Sequence, residues 1–201
     1  DPESKVFIID DEENVRKGIS LLLFSNGYYV DTFENIREFL VSGSDETGCV
    51  LLDVFLDGAS GLEEQERIRN RFPYLPIIYI TGYGDVPMSV TAMKHGALNF
   101  LQKPIDDVLL FQAVDEAISN SQLLKSVQTE RNKVKARIDS LTPREFEIFA
   151  HVIRGTLNKQ IAAKLNISEH TVKLHRGKIT EKLGVKSVPE MIYMAEKLNI
   201  K

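Results

Sequence analysis

The sequence predicts a doubly wound α/β domain at residues 5–120, followed by an all-α domain of four helices at residues 140–201. In the first part, short apolar runs alternate five times with helical patterns, whereas the second part has helical patterns and no strand. The charges divide at the same place. Residues 1–120 contain 21 acidic and 9 basic side chains, a net charge of −12, and residues 121–201 contain 8 acidic and 16 basic side chains, a net charge of +8.

The predicted strands are continuous apolar runs, which is the pattern of a parallel sheet covered on both faces. They are Lys5–Ile9, Tyr28–Thr32, Val50–Leu52, Pro76–Ile80 and Leu98–Leu101. A helical pattern follows each strand, at Val15–Phe24, Ile36–Val41, Leu62–Arg71, Val86–His95 and Val108–Ser119. Residues 121–139 are polar, contain neither Gly nor Pro and keep apolar residues at roughly helical spacing, which predicts a helical linker that continues the last helix of the first domain.

The second domain is predicted to contain a helix-turn-helix. Its helical patterns are Pro143–Arg154, Lys159–Leu165, Glu169–Lys182 and Val188–Lys197. Thr142 and Glu145 have the spacing of a capping box at the start of the first helix. Asn166 tolerates the positive φ of a tight turn, and Ser168 can cap the helix that follows the turn.

Composition narrows the class of protein. No run approaches the roughly 20 apolar residues of a membrane helix, and the first residues lack the basic-then-apolar pattern of a secretory signal. Cys49 is the only cysteine, which excludes an internal disulfide and a multi-cysteine zinc site. We therefore expect a cytoplasmic protein with no membrane partner.

Polar residues stand at the carboxyl ends of four of the predicted strands, at Asp10, Asp11, Asp53, Thr81 and Lys103. In an open α/β sheet, ligands bind beyond these carboxyl ends of the strands. Converging carboxylates suit Mg²⁺, which prefers one or two carboxylates plus water. Lys103 could neutralise the charge of an incoming phosphoryl group, and Thr81 could donate a hydrogen bond to one of its oxygens. Asp53, which stands alone at a central strand end, is the predicted nucleophile. The alternative is a set of ordinary solvated acids at loop starts.

The helix after the tight turn carries the residues expected to contact a polyanion. These residues are Thr171, Lys173, Leu174, His175, Arg176 and Lys178. Their place after a helix-turn-helix turn, in a domain of net charge +8, favours DNA binding. An amphipathic helix with a solvated cationic face is the alternative. Gly177 interrupts this helix, where it could allow a close approach to DNA.

The stretches around the acidic pocket resemble a response-regulator receiver domain over residues 5–120. They are Ile9-Asp10-Asp11-Glu12, Leu52-Asp53, Thr81-Gly82-Tyr83-Gly84-Asp85 and Lys103-Pro104. The resemblance implies a flavodoxin-like (βα)5 fold with Asp53 as phosphoacceptor and a histidine kinase as its partner. It also implies that Asp11, Asp53 and the backbone carbonyl of Phe55 ligate Mg²⁺, with Asp10 acting through water. Asp57 departs from the family, which usually has proline at this position.

The resemblance assigns further roles around the phosphoryl group. Lys103 would pair with the phosphoryl group, and the Lys103–Pro104 peptide would be cis. Thr81 and Phe100 would form a switch pair. Phosphorylation would then promote a homodimer through the strand before Lys103 and the predicted helices on either side of it.

Residues 140–201 resemble the LuxR-type helix-turn-helix domain. The matching stretches are Leu141-Thr142-Pro143-Arg144-Glu145, Asn158-Lys159-Gln160-Ile161-Ala162 and Thr171-Val172-Lys173-Leu174-His175. A receiver followed by this domain looks like the FixJ/NarL family of transcription regulators. That resemblance implies double-stranded DNA and RNA polymerase as partners, with Lys173 and Arg176 nearest the bases and Asn158, Lys159 and Lys178 on the backbone.

The sequence therefore favours a phosphorylation-activated DNA-binding transcription regulator rather than an enzyme. One alternative is a metal-dependent phosphohydrolase with Asp53 as nucleophile. Such an enzyme needs a second carboxylate as general acid two residues later, where this chain has Phe55. The other alternative is an adaptor that works through protein contacts without phosphorylation.

Overall fold

The chain forms two compact units, Asp1–Ser126 and Val127–Lys201. The computed structural model describes residues 4–44, 46–56, 59–82 and 96–200. The division between the units falls inside the predicted linker, residues 121–139. Within the described ranges, no helix has both the length and the apolar character needed to cross a bilayer.

The first unit is built on a five-stranded parallel sheet. Its strands are β1 (Lys5–Ile9), β2 (Tyr29–Phe33), β3 (Gly48–Asp53), β6 (Ile77–Thr81) and β7 (Asn99–Gln102), in the order β2-β1-β3-β6-β7. Every residue of β3 and β6 is buried, because both faces of the sheet are covered. The predicted doubly wound fold is confirmed.

Helices follow the strands as the apolar patterns indicated. The described ones in this unit are α1 (Glu13–Ser25), α2 (Ile36–Ser42), α3 (Gly61–Arg71) and the start of α4 (Asp107–Asp139). Phe7, Phe39 and Tyr79 belong to the core on one face of the sheet, and Ile8 and Leu110 to the core on the other. The predicted helix Val86–His95 lies outside the described residues.

One feature of this unit was not predicted. A short antiparallel hairpin, β4 (Phe55–Leu56) and β5 (Ala59–Ser60), lies between Asp53 and α3. Strands of two residues are too short to produce a periodic signal in the sequence. By contrast, α4 runs for 33 residues and joins the predicted helix at Val108–Ser119 to the linker, as expected of a linker that continues the last helix.

The second unit contains four further helices and no strand among its described residues. They are α5 (Pro143–Ile153), α6 (Asn158–Leu165), α7 (Glu169–Leu183) and α8 (Val188–Lys197). The end of α4 contributes Val134 and Ile138 to their common core. Asn166 ends α6 with a φ of 53°, and the Ser168 hydroxyl accepts the Thr171 N–H at 3.0 Å. The tight turn and its cap therefore match the prediction.

The buried carboxylate of Glu145 fixes the start of α5. The Thr142 hydroxyl accepts the Glu145 N–H at 3.3 Å, and the Glu145 carboxylate accepts the Thr142 N–H at 2.9 Å, which completes the predicted capping box. The same carboxylate lies 2.6 Å from Lys182 Nζ on α7. Lys182 and the Thr142 N–H lower the pKa of Glu145 to about 2.

Glu145→Gln is expected to lower the free energy of unfolding by about 2 kcal/mol near neutral pH, the size of a lost hydrogen bond to a charged group. The folded-state pKa of Glu145 lies below the ordinary 4.5, so its stabilisation is complete above that pH and is lost as the pH falls toward 2. The difference between the wild type and the variant should shrink over this window. Urea unfolding followed by circular dichroism at stepped pH measures it.

Glu147→Gln is the matched control, since Glu147 makes an exposed pair with Arg144 at 2.8 Å on the same helix. An exposed pair contributes less than about 1 kcal/mol. A Glu145→Gln effect no larger than that of Glu147→Gln would contradict the role given to the buried Glu145 carboxylate.

Candidate functional site

Three carboxylates meet at the carboxyl edge of the sheet. Asp10 directly follows β1, and Asp53 ends β3, its neighbour in the sheet. Because the two strands are parallel and adjacent, their ends bring Asp10, Asp11 and Asp53 together, with one oxygen of each within 4.8 Å of the others. Asp10 is 1% exposed and Asp53 is 5% exposed, whereas Asp11 is exposed to solvent.

Lys103 reaches this cluster from the residue that follows β7. Its Nζ lies 2.8 Å from Asp10 Oδ2 and 2.5 Å from Asp53 Oδ2. The Lys103–Pro104 peptide is cis, as the resemblance implied. One ammonium group thus bridges the two buried carboxylates.

The backbone holds the other oxygen of each buried acid. The Phe55 N–H donates to Asp53 Oδ1 at 2.9 Å, and the Glu12 N–H donates to Asp10 Oδ1 at 2.8 Å. Each carboxylate therefore presents Oδ2 to Lys103, and its orientation is fixed from both sides. The Phe55 side chain is half exposed.

Burial and charge pairing act against each other in this cluster. Burial raises the pKa of Asp10, while the hydrogen bonds from Lys103 and the Glu12 N–H lower it, and burial prevails. Burial lowers the pKa of Lys103, but hydrogen bonds to Asp10 and Asp53 outweigh it, so the pKa of Lys103 is raised. Lys103 therefore stays protonated, and its positive charge offsets the repulsion between the two acids.

Thr81 and Phe100 lie on the neighbouring strands β6 and β7. Thr81 is fully buried at the end of β6, and its carbonyl accepts the Lys103 N–H at 2.7 Å. Phe100 is partly buried and packs against the core on one face of the sheet, where it is in register with Tyr79. Thr81 is thus linked through the backbone to the residue that bridges the acids.

Two residues of this site were missed in the sequence. Glu12 precedes α1, as expected of a helix start, and its carboxylate also lies 3.5 Å from Lys103 Nζ. The Arg16 guanidinium donates to the Asp10 carbonyl oxygen. An arginine near the N-terminus of a helix is unfavourable for the helix dipole, and this was the available signal for Arg16.

The outer face of α7 forms the second candidate site. Lys173, Leu174, Gly177 and Lys178 are exposed there, and the opposite face of the helix is buried in the core. Thr171 is half-buried, because its backbone and hydroxyl both contact the Ser168 cap. His175 is also half-buried, and its Nδ1 has no hydrogen-bond partner in the part of the chain that the structure describes.

Arg176 is tied to α6 rather than extended into solvent. Its guanidinium donates to Asn158 Oδ1 at 2.6 Å, and both side chains are half-buried. They line an open cleft of about 450 Å³ together with Lys159, which is exposed at the start of α6. Asn158 begins α6 and Arg176 lies inside α7, so this bond joins the two helices away from the turn between them. The sequence placed both residues near DNA but gave no indication of their contact.

Comparisons with known proteins match both units. Residues 6–115 match the response regulator receiver domain, and residues 139–195 match the luxR family of bacterial regulatory proteins. Nodulation protein W of Bradyrhizobium diazoefficiens is 39% identical over 97% of this chain and 86% of its own length. The transcriptional regulatory protein FixJ of Rhizobium meliloti is 36% identical over 94% of each chain.

A solved structure is similar over nearly the whole length. The response regulator StyR is 38% identical and superposes with a TM-score of 0.85, covering 97% of this chain and 99% of its own. Receiver domains bind Mg²⁺ through acidic residues, and Asp10, Asp11 and Asp53 form such a cluster here. A receiver domain implies a histidine kinase as partner, and a LuxR-type domain implies DNA binding.

These matches exclude the phosphohydrolase alternative, since the family consists of DNA-binding regulators and not of enzymes. They equally favour a transcription regulator over an adaptor without a DNA-binding role. The chain belongs to the two-component response regulators of the FixJ/NarL type, which are phosphorylation-activated DNA-binding transcription regulators.

Proposed function

We propose that Asp53 is the residue that accepts the phosphoryl group from a histidine kinase. The observation that carries this proposal is the contact of Asp53 Oδ2 with Lys103 Nζ at 2.5 Å, at a buried strand end beside Asp10 and Asp11. A nucleophile needs an oxygen in a fixed direction and a nearby cation for the incoming charge. The Phe55 N–H supplies the fixed direction, and Lys103 supplies the cation.

The transfer is a displacement at phosphorus. An oxygen of Asp53 forms the new bond to phosphorus, the bond from phosphorus to the donor breaks, and its electron pair leaves with the donor group. That group is the imidazole nitrogen of a phosphohistidine or the acyl oxygen of a small phosphodonor. Lys103 must move from Asp53 Oδ2 to a phosphoryl oxygen, and its contacts with Asp10 and Glu12 keep it at the site during this shift.

The acidic cluster fits a hard divalent cation. Its donor atoms are carboxylate oxygens from Asp10, Asp11 and Asp53, and an exposed Asp11 leaves room for the water that Mg²⁺ retains. Asp11 and Asp53 would hold Mg²⁺ with the Phe55 carbonyl, and Asp10 would act through water. When bound, the ion offsets the negative charge of the phosphoryl oxygens.

The DNA-binding face would use α7 and the start of α6. Exposed Lys173, with Arg176, is assigned to the bases or the flanking phosphates, and Asn158, Lys159 and Lys178 to the DNA backbone. Thr171, Leu174 and His175 complete the face. RNA polymerase is the protein partner of the bound regulator, and the cytoplasm, where DNA and the kinase meet, is its location.

Treating the full chain with Mg²⁺ and a small phosphodonor tests the function as a whole. The intact mass should rise by one phosphoryl group, and the affinity for duplex DNA should rise in the same sample. A chain that gains the mass without any change in DNA binding would contradict coupling between the two sites.

Phosphorylation is expected to convert the chain from a monomer to a homodimer. The route runs from the phosphoryl group to Thr81, then to an inward turn of Phe100 that reshapes the surface beside β7. The dimer face would include Val108 and Leu109, which are 61% and 54% exposed at the start of α4. The predicted helix Val86–His95, which lies outside the described residues, would complete it.

Sedimentation velocity before and after treatment with the phosphodonor measures this change. A heavier species should appear only in the phosphorylated sample, and Phe100→Ala should reduce it while leaving the mass gain intact. A wild-type chain that is phosphorylated and still sediments as a monomer would refute the dimer.

A further inference from the structure

We propose that Gly177 is a specificity-determining position, at which duplex DNA packs directly against the backbone of α7. The inference rests on the proposed DNA-binding function and adds the requirement that residue 177 carries no side chain. A side chain at this position would hold the helix away from the DNA. The preference of the protein for its binding site would therefore depend on the absence of a Cβ atom.

The fold itself gives no reason for glycine at this position. Gly177 lies in the interior of α7 (Glu169–Leu183), a helix in which alanine is the more favourable residue. A Cβ atom built on Gly177 meets no atom within 4 Å, and its φ is not in the left-handed region. Alanine would therefore fit in the free protein without strain.

Several described glycines have a structural reason that Gly177 lacks. Gly155 and Gly184 adopt φ values of 74° and 64° at helix ends, where a side chain is strained. A Cβ atom on Gly43 would lie 2.7 Å from the Phe39 carbonyl oxygen. Gly18 on α1 has the same steric freedom, so open space alone does not distinguish Gly177; its place on the basic outer face of α7 does.

Gly177 lies at the centre of the exposed face of α7. Lys173 and Leu174 precede it by four and three residues, which places them beside it on the helix surface, and both are exposed. Val172, Ile179 and Leu183 form the buried face of the same helix. The position without a side chain thus faces the surface on which the basic residues lie.

The space above Gly177 is open, since a Cβ atom built there meets no atom within 4 Å. Arg176 does not fill it, because its guanidinium is bonded to Asn158 on α6. Lys173 and Lys178 bring positive charge to its borders. A DNA duplex is anionic and comes close to a helix that lies in its major groove. It therefore suits both the open space at Gly177 and the positive charge beside it.

The test compares Gly177→Ala and Gly177→Leu with Gly18→Ala in the phosphorylated full chain. Gly18 is the matched control, because it lies inside α1, is exposed, and a Cβ atom there also meets nothing within 4 Å. The probes are a duplex that the wild-type chain selects from a random-sequence library and an unselected duplex of equal length. Thermal unfolding and the dissociation constants for both duplexes are measured.

We expect the alanine substitutions at both positions to raise the unfolding midpoint. On the selected duplex, Gly177→Ala should bind about tenfold and Gly177→Leu about a hundredfold more weakly than the wild type, as for one or two lost base contacts. Binding to the unselected duplex should change much less, and Gly18→Ala should match the wild type on both.

Two results would overturn the proposal in distinguishable ways. If both Gly177 variants bind the selected duplex as tightly as the wild type, Gly177 has no role in specificity while the DNA-binding function stands. If the wild-type chain selects no duplex and binds none, the proposed function itself fails and the role of Gly177 fails with it.

Discussion

Asp53→Asn should abolish the mass gain that the full chain shows with Mg²⁺ and a small phosphodonor. The amide keeps the shape of the side chain and can still accept the Phe55 N–H, but it lacks the negative oxygen that attacks phosphorus. It also removes one of the two carboxylates that hold Lys103. Intact-mass spectrometry over a time course measures the loss, which should be complete.

Asp10 is the residue that could make this assignment wrong. Like Asp53, it is buried at a strand end and contacts Lys103 through Oδ2. Asp10→Asn should slow labelling without preventing it, because Asp10 acts on the metal and on Lys103 and not on phosphorus. Labelling that survives in Asp53→Asn and disappears in Asp10→Asn would exchange the two roles.

Asp31→Asn serves as the control for removing a carboxylate elsewhere on the sheet. Asp31 lies on β2, is partly exposed and pairs with Lys5 at 3.3 Å. Its variant should be labelled at the wild-type rate. Circular dichroism of all three variants separates a loss of chemistry from a loss of fold.

The sheet and the carboxylate cluster could be predicted because both depend on simple regularities. Continuous apolar runs such as Ile77–Thr81 indicate buried parallel strands, and the carboxyl ends of parallel strands lie at one edge. In a sheet of this strand order, Asp10, Asp53 and Lys103 therefore lie at the same edge. The helix caps of the second unit were predictable for a similar reason, since Thr142 and Ser168 act within three residues along the chain.

Contacts that depend on side-chain reach across elements could not be predicted. Sequence patterns do not reveal that Lys103 bridges both buried acids, because this contact depends on the path of the backbone after β7. The bond from Arg176 to Asn158 depends on the angle between α6 and α7. Phe146 has the helical spacing to share a buried face of α5 with Phe149 and is nevertheless 39% exposed, since spacing alone does not tell how wide the buried face is.

Lys173→Ala should weaken binding of the full phosphorylated chain to its selected duplex by about 1–3 kcal/mol and relax the sequence preference at one position. Lys173 is exposed on the outer face of α7 and forms no ion pair within the described part of the chain. Its charge is therefore available to DNA. Lys159→Ala should act differently. Lys159 lies at the start of α6, where a backbone contact is expected, so its loss should weaken all duplexes alike.

Salt dependence separates the two roles and supplies the control. Lys159→Ala should reduce the slope of log affinity against log salt by about one, because one fewer counterion is released. Lys164→Ala removes the same charge from the same helix, five residues further on and therefore about 140° around it, and should leave the slope unchanged. If Lys164→Ala weakens binding as much as Lys173→Ala, the domain attracts DNA through its net charge alone and α7 is not the reading helix.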